Sequence, residues 1–559
     1  MSHETISASP TKLAPVSDMK IVVPKVSCDV KSCQVTLNIG LFFDGTNNNM
    51  YRDLPHLADT NIARLFRSYI DRRKDGYERV YIPGVGTSFP EIGEDGESKL
   101  GTGWAFGCEG RVVFGLLSVF NFLSYRTMKS YLFDEKTVLG LCRNRSLFTG
   151  VADREHLAKF DMDMSLVTGA AEGVNIRHLF LRQQSDSLEA KLKNYKPHIA
   201  ECFIDVFGFS RGAAEARVFC NWLNDLLVNG RLAGVPLQFR FLGIIDTVAS
   251  AGFWSGTTAL IKNSTGGHGS WASAKSLRVS NSVQNCLHMV AMHELRRNFP
   301  LDAFGSKDSM SSGWVQYAYP GAHSDVGGGY RPGELGLAVD DDSKKLSQIP
   351  LNHMFDCAVA AGVPLKKNRE SAIGRDPFAI HSDVIKSYDD FISQATLTPR
   401  PMYEWLQPYL NWRWQIRESF HTSNQVTRAV QEEKEILLTF NKRLINDANA
   451  MTRTKDMGVG RRIFEIVKDR TFTRGRKDLI TNLFLEPEAQ SVLALAKKSK
   501  ATLPSFAILF DNYVHDSLAG FNLHHLELSG YWRYRKVFLD SDDHLIAINE
   551  SVAGADSIA

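Results

Sequence analysis

Long apolar runs are missing from this sequence, and its first 20 residues are polar and rich in serine, threonine and proline. Because no stretch reaches about 18 uninterrupted apolar residues, the sequence predicts no membrane-spanning helix. An N-terminus without an apolar core is not typical of a secretory signal peptide. We therefore expect synthesis in the cytoplasm and no export by the general secretory route.

Closely paired cysteines and an excess of one charge are also lacking. None of the eight cysteines forms a C-x-x-C pair, and the closest two are Cys28 and Cys33. This spacing argues against a zinc site or a disulfide framework. The 65 basic residues nearly balance the 62 acidic ones, which leaves a net charge of +3. Such a balance gives no support to nucleic-acid binding.

Strand and helix patterns alternate along the chain to about residue 365. Strand patterns cover 34–44, 78–84, 200–207, 238–246 and 314–319, and helical spacing covers 61–73, 211–229 and 287–296. This alternation predicts an α/β fold with a mostly parallel, doubly wound sheet flanked by helices. Since 559 residues exceed one typical core, we expect two or more domains, or one large domain with insertions.

Two further segments have a distinct character. The apolar run 112–123 is too short to cross a bilayer and indicates either a buried helix or a lid that contacts an acyl chain. After about residue 365, aromatic and basic residues mix in MYEWLQPYLNWRW at 402–414, and an amphipathic pattern follows to about Asn446. This pattern predicts a helical region that faces a membrane or partner protein, or that packs between domains.

The stretch IDVFGFSRGAAE places Ser210 between Gly208 and Gly212, where a strand pattern ends and a helix pattern begins. In a G-x-S-x-G turn the glycines allow close backbone approach, and the serine hydroxyl projects from the carboxyl edge of the sheet. The sequence therefore predicts a nucleophilic serine. The backbone N–H of Arg211, at the helix N-terminus, is the expected donor to the oxyanion.

A nucleophilic serine needs a base and a carboxylate that orients it. Asp246 ends the strand pattern LGIID, 36 residues after Ser210, and His323 follows WVQYAY, 113 residues after Ser210. Both would lie at carboxyl ends of strands, where α/β folds assemble their sites. His515 is the alternative base, and Asp325 is the alternative orienting carboxylate.

The second oxyanion donor is expected in a loop after an early strand. The segment FFDGTNNN at 42–49 fits, with the amides of Gly45 and Thr46 as candidates and Asp44 holding the loop by side-chain hydrogen bonds. An aspartyl phosphotransferase would need companion carboxylates, which the sequence does not place here. In CLHMVAMHELRR, His288 and His293 are five residues apart on the predicted helix, which does not match a zinc protease motif.

Five motifs in this order, DGTNNN, GFSRGAAEA, IIDTVAS, HMVAMHELRRNF and GAHSDVGGGY, resemble those of the bacterial type VI secretion lipase effectors and related α/β-hydrolases. The resemblance implies an α/β-hydrolase-like fold and a phospholipase A that is injected into a competitor's periplasm. Ser210 would be the nucleophile, Asp246 the acidic member and His323 the base, with no metal or other cofactor. It also implies carriage on the VgrG spike protein, a cognate immunity lipoprotein, and a phospholipid membrane as target.

The resemblance covers roughly 34–365 and again about 505–535, and it divides the chain into four parts. We expect a flexible arm at 1–33, a catalytic domain at 34–365 with a lid-like insertion at about 101–130, a helical membrane- or partner-facing insertion at 366–500, and a C-terminal segment at 501–559 that returns to the catalytic domain. Two alternatives remain open: a soluble serine esterase acting on small or polysaccharide acyl groups, and a non-catalytic cargo protein of the spike.

Overall fold

The structure, a computed structural model, describes most of the chain. It covers residues 7–8, 19–24, 34–97, 107–143, 170–249, 277–296, 299–304, 311–339, 341–367, 376–395, 400–454, 487–521, 530–541 and 544–547. Cys28, Cys33 and the first part of the predicted lid, 101–106, lie outside the described residues.

The strands are β1 Ser7–Ala8, β2 Gln34–Phe43, β3 Tyr77–Ile82, β4 His198–Phe209, β5 Arg231–Leu232, β6 Val235–Ile245, β7 Val283–Ala291, β8 Leu301–Asp302, β9 Trp314–Tyr319, β10 Val537–Ser541 and β11 His544–Ala547. The α-helices are α1 Met50–Asp53, α2 Asn61–Ser68, α3 Cys108–Met128, α4 Glu135–Arg143, α5 Ala170–Leu192, α6 Arg211–Leu226, α7 His323–Gly327, α8 Gln348–Ala360, α9 Ser382–Gln394, α10 Met402–Gln415, α11 Asn424–Arg428, α12 Gln431–Thr454, α13 Pro487–Lys498 and α14 Pro504–Tyr513. Short 3₁₀ helices span Leu54–His56, Arg73–Asp75, Pro90–Ile92, Glu334–Gly336, Asp342–Lys344 and Phe420–Thr422.

The main sheet is mostly parallel, as predicted. Within the described residues its order is β1-β9-β7-β6-β4-β2-β3, with β5 paired antiparallel to β6. Phe43 of β2 pairs with Gly208 of β4, and Phe209 pairs with Ile245 of β6, so these three strands end at the same level. Their carboxyl ends therefore form one edge from which three loops begin. A second, small sheet joins β10 to β8 and β11.

Side chains of β2 show why the sheet is covered on both faces. Leu37, Ile39 and Leu41 enter one hydrophobic core, whereas Phe42 enters the other. Successive side chains of a strand point to opposite faces, so the nearly continuous apolar run of β2 fits a strand buried on both sides. The two cores lie on opposite faces of the same parallel sheet.

The segment 287–296, predicted as a helix, is a strand followed by a loop. β7 spans Val283–Ala291 and pairs with β6 and β9 on either side. The apolar residues Leu287, Met289 and Val290 fit helical spacing equally well, because a short buried apolar run does not distinguish the two structures. His288 and His293 are both buried, one on this strand and one in the loop that follows.

The N-terminal arm is not loose throughout. Ser7–Ala8 pairs in parallel with β9 and forms the edge of the main sheet. Further along, the backbone of Val22 exchanges two hydrogen bonds with the side chain of Asn285 on β7. Two described parts of the arm are therefore attached to the sheet, one by backbone pairing with β9 and the other through the side chain of Asn285.

Helix α3, which contains the apolar run 112–123, lies in the core. Most of its side chains are buried, and Gly115 lies against Phe219 of α6 and Leu41 of β2. Its aromatic residue Phe120 contacts Phe133. This packing fits the buried-helix interpretation and not a lid over a cleft.

The aromatic segment 402–414 forms α10, and its large side chains also point inward. Trp405, Tyr409 and Trp412 are buried, as the packing alternative predicts. His293, in the loop after β7, contacts the rings of Tyr409 and Phe510. The helical region and the sheet thus share one core. No helix in the described ranges combines the length and the hydropathy that crossing a bilayer requires.

Phe120→Ala should lower the free energy of unfolding by about 3–5 kcal/mol, because it leaves a cavity beneath the sheet. The measurement is urea denaturation followed by circular dichroism. Leu179→Ala is the control, since Leu179 is 61% exposed on α5. Equal, small effects of both substitutions would contradict the buried position of α3.

Candidate active site

Ser210 lies at a sharp turn between the central strand and the helix that follows. β4 ends at Phe209 and α6 begins at Arg211. The backbone of Ser210 has φ 57° and ψ −122°, an unusual conformation that costs a non-glycine residue about 1–3 kcal/mol. The Ser210 N–H donates to the Ile245 carbonyl at 3.0 Å and helps to hold this turn. The serine therefore has the strained backbone that the G-x-S-x-G pattern predicts.

The two glycines that flank Ser210 allow backbone segments to meet. A Cβ at Gly208 would lie 2.4 Å from the Gly212 carbonyl oxygen. A Cβ at Gly212 would lie 2.3 Å from the Phe43 oxygen and 2.4 Å from the Asp44 oxygen. A Cβ atom does not approach a backbone oxygen this closely, so neither position accepts a residue with a side chain. Gly208 thus brings helix α6 onto β4, and Gly212 brings the loop after β2 against the start of α6.

Asp44 organises this loop. Its buried carboxylate accepts hydrogen bonds from the Gly45 N–H at 2.7 Å, the Thr60 hydroxyl at 2.7 Å and the Tyr81 hydroxyl at 2.6 Å. Burial raises the pKa of Asp44 to about 6, although the three hydrogen bonds oppose the rise. Asp44 therefore ties the loop to α2 and β3 and keeps it beside Ser210.

The same contacts correct one candidate for the oxyanion hole. The amide of Gly45 already donates to Asp44, and a Cβ at Gly45 would lie 2.6 Å from the Phe209 ring. Gly45 is therefore a packing and hydrogen-bonding position. Thr46 remains a candidate from this loop, and its buried hydroxyl oxygen has no hydrogen-bond partner among the described residues. Arg211 is the first residue of α6, so its backbone N–H lies at the N-terminus of the helix, directly after Ser210.

Asp246 follows β6 directly and has a buried carboxylate. Its Oδ2 accepts a hydrogen bond from His323 Nδ1 at 2.5 Å, and its Oδ1 accepts one from the Ala291 N–H at 2.8 Å. Both oxygens also accept from Arg535, at 2.7 Å each. The structure thus brings Asp246 and His323 together across 77 positions of sequence.

His323 begins the short helix α7 after β9, and its ring lies next to the serine turn. The imidazole contacts the Phe209 ring with centroids 4.5 Å apart, and Phe209 directly precedes Ser210. Since Nδ1 bonds Asp246, Nε2 is the nitrogen left to act on a hydroxyl. The hydrogen bonds of the described residues include none between Ser210 and His323. Such catalytic hydrogen bonds often form only when substrate binds.

The protonation states of this pair follow from burial and charge. Burial alone would raise the pKa of Asp246, but the Arg535 guanidinium and the bond from His323 hold it well below its usual range. Burial lowers the pKa of His323, and the neighbouring Asp246 opposes this only in part. A neutral imidazole beside an ionised carboxylate is the state that a general base requires.

The alternative base, His515, belongs to a second pair. His515 Nδ1 lies 2.6 Å from Asp325 Oδ1, and its Nε2 lies 3.1 Å from the Glu334 carbonyl oxygen. The other oxygen of Asp325 accepts from the Ala322 N–H at 2.9 Å, because a carboxylate three residues into a short helix can turn back to its start. Asp325 therefore orients His515 and not His323. The geometry favours Asp246 and His323 over these two alternatives.

Two buried residues near the site are not among the predicted candidates: Glu294 lies within the motif HMVAMHELRRNF but has no predicted role. Glu294 accepts a hydrogen bond from the His323 backbone N–H at 3.1 Å and bonds Ser517 and Arg296. Burial would raise its pKa, but Arg296 lowers it to about 2. Arg535 comes from YWRYRK, a segment with no motif. The signal for Glu294 is its position just after a strand of the main sheet, and this signal is hidden because the pattern of 287–296 also fits a helix.

A family model matches one part of the chain. Residues 230–357 match the model of the catalytic domain of Tle1-like phospholipase effectors of the type VI secretion system. The matched segment contains Asp246 and His323 and begins after Ser210. This part of the chain is therefore similar to the catalytic domain of a phospholipase. No curated protein matches the chain.

Solved structures show the fold relationship. An uncharacterized protein from Pseudomonas aeruginosa is 25% identical with a TM-score of 0.67, and the alignment covers 92% of this chain and 80% of that one. The Tle1 effector bound to the VgrG spike of the type VI system is 19% identical with a TM-score of 0.33, covering 67% of this chain and 84% of that one. The first similarity extends over nearly the whole chain. The second is too low to support an argument.

Gly212→Ala should displace the loop after β2 and lower both stability and activity of the site, because its Cβ would meet two backbone oxygens within 2.4 Å. Gly96→Ala is the matched control, since nothing lies within 4 Å of its Cβ position. Thermal unfolding and ester hydrolysis measure the two effects. If Gly212→Ala behaved like Gly96→Ala in both assays, the close approach of loop and helix would be wrong.

Proposed function

We propose that this protein is an antibacterial type VI secretion effector with phospholipase A activity, which cleaves acyl esters of glycerophospholipids by a Ser-His-Asp mechanism. The main support is the buried hydrogen bond between His323 and Asp246, beside the strained turn of Ser210. The family match over residues 230–357 supports the phospholipase class. Each of the three residues follows a parallel strand at the same sheet edge, where α/β folds bind ligands.

In the proposed first step, His323 Nε2 takes the proton of Ser210 as Oγ attacks the ester carbonyl carbon. Asp246 stabilises the imidazolium that forms. The Arg211 N–H and a donor of Thr46 hold the oxyanion. When the tetrahedral intermediate collapses, the ester bond breaks and His323 returns the proton to the departing lysophospholipid.

The second step removes the acyl group from Ser210. His323 accepts a proton from water as the water oxygen attacks the acyl carbonyl, and Asp246 again stabilises the cation. Collapse of this intermediate releases the fatty acid and restores the serine hydroxyl. The same three side chains therefore serve both halves of the reaction.

The family also guides the partners that we propose. The matched model describes Tle1-like phospholipase effectors of the type VI secretion system, and the five sequence motifs resemble those of effectors that are carried on a VgrG spike. We propose that VgrG carries this protein as well, that it acts in the periplasm of the target cell, and that an immunity lipoprotein protects the producing cell. The helical region 366–500 is the proposed membrane- or partner-facing part.

Ser210→Ala should abolish acyl release from phospholipid vesicles labelled at one acyl position, with a loss of up to about 10⁶-fold in kcat. His323→Ala should cause a comparable loss, because the two residues act as a unit. His515→Ala is the control, since its ring bonds Asp325 and Glu334 instead of Asp246. A larger loss from His515→Ala than from His323→Ala would reassign the base.

The same assay separates the other two functions. Hydrolysis of short soluble esters without hydrolysis of vesicle phospholipid would point to a soluble esterase. Full toxicity of the Ser210→Ala protein in the periplasm of target bacteria would point to a non-catalytic cargo protein.

The pH dependence should show a midpoint below about pH 6.5 on its acid limb. His323 must be neutral to accept the serine proton, and burial lowers its pKa. Activity should therefore rise as pH increases through that lowered pKa and be constant near pH 7. A profile of kcat/KM against pH for a soluble ester measures this. A midpoint above 6.5 would contradict it.

A further inference from the structure

Arg535 lies 289 positions after Asp246 in sequence, yet it contacts that carboxylate with two nitrogens. Nη1 donates to Oδ1 and Nη2 donates to Oδ2, each at 2.7 Å. The guanidinium is buried, and its Nε donates to the Phe299 carbonyl at 2.7 Å. This parallel two-point contact is the geometry by which arginine fixes the plane of a carboxylate.

We propose that Arg535 is a positioning residue that holds Asp246 in the orientation and charge state that His323 needs. The proposal rests on the proposed Ser-His-Asp mechanism. It also implies that the C-terminal segment is part of the active site, although it is remote from the motifs in sequence.

The backbone around Arg535 holds it in place. The Leu301 N–H donates to the Lys536 carbonyl at 2.8 Å, and the Ala303 N–H donates to the Phe538 carbonyl at 2.9 Å. These bonds belong to the pairing of β10 with β8. The residue after Arg535 therefore takes part in this pairing, and the guanidinium reaches Asp246 from just before the start of a paired strand.

Two physical effects follow from the contact. The two-point bond stops the carboxylate from rotating, so that Oδ2 stays directed at His323 Nδ1. The positive charge of Arg535 also keeps the buried Asp246 ionised. It partly cancels the effect by which the negative carboxylate stabilises the protonated form of His323. Without Arg535, the uncompensated carboxylate would favour the imidazolium, and the pKa of His323 would rise.

Other charged groups contribute to the same environment and remain in place when Arg535 is replaced. Glu294 and Arg296 face His323, and the neutral, buried His288 lies near Asp246. Phe209 and Phe299 contact the His323 ring and surround it with apolar surface. Replacing Arg535 is therefore expected to shift the pKa of His323, while the other charged groups around it stay the same.

The test compares Arg535→Gln and Arg535→Lys with Arg240→Gln. Arg240 forms a similar buried two-point pair with Asp205, through Nε at 2.9 Å and Nη2 at 2.5 Å, and does not contact the site. Both pairs lose a guanidinium in the Gln variants, so a general effect of breaking a buried ion pair should be common to them. Lysine keeps the charge but not the two-point geometry.

Two readouts are measured. NMR titration of the His323 ring, assigned with His323→Gln, should show a pKa about one unit higher in Arg535→Gln than in the wild type. Ester hydrolysis should show kcat lowered on the order of 10²-fold in Arg535→Gln, with an acid limb moved to higher pH. Arg535→Lys should lie between the wild type and Arg535→Gln, and Arg240→Gln should shift neither pKa nor limb.

The outcomes are distinct. An unchanged His323 pKa in Arg535→Gln, or an equal shift in Arg240→Gln, would overturn the positioning role. If Arg535→Gln does not fold, the same comparison is made with Arg535→Lys. A kcat and a pH profile of Arg535→Lys equal to those of the wild type would then overturn the positioning role. A wild-type protein that hydrolyses no ester would overturn the proposed function, whereas the NMR titration would still decide the contact between Arg535 and the pair.

Discussion

The carboxylate of Asp246 is buried and accepts hydrogen bonds from three separate parts of the chain. These are the end of β7 at Ala291, the start of α7 at His323 and the C-terminal segment at Arg535. A buried carboxylate needs such partners, and removal of one partner of a buried ion pair typically costs about 3–5 kcal/mol. The acid is therefore both a structural junction between these three elements and the centre of the candidate site.

The parallel sheet provides the second constraint. Asp44, Ser210 and Asp246 each follow one of three adjacent strands, and the pairing of those strands brings the three residues to one edge. The strained turn of Ser210 is tolerated because the backbone around it is held on both sides. Gly208 and Gly212 permit that contact, and Asp44 fixes the loop that presses against the helix.

The helical region is connected to the site by specific contacts. Glu433 of α12 accepts a hydrogen bond from the Leu335 N–H at 3.0 Å and pairs with Arg331, in the segment that follows α7. His515, after α14, pairs with Asp325 of α7 itself. Helix α7, which begins at His323, and the segment after it are thus contacted by residues from the helical region and the C-terminal segment.

The amino-acid sequence by itself determined the α/β class, the serine turn and the strand-end positions of Asp246 and His323. These are local features, because buried strands, glycine turns and helix starts have short-range patterns. It did not determine that 287–296 is a strand, since a short apolar run is compatible with both structures, nor that the apolar run 112–123 lies in the core. Only the tertiary structure decided that Asp325 serves His515, that Gly45 donates to Asp44, and that Arg535 holds Asp246. Each of these depends on which distant groups meet a buried polar atom, and that is set by the packing of the whole chain.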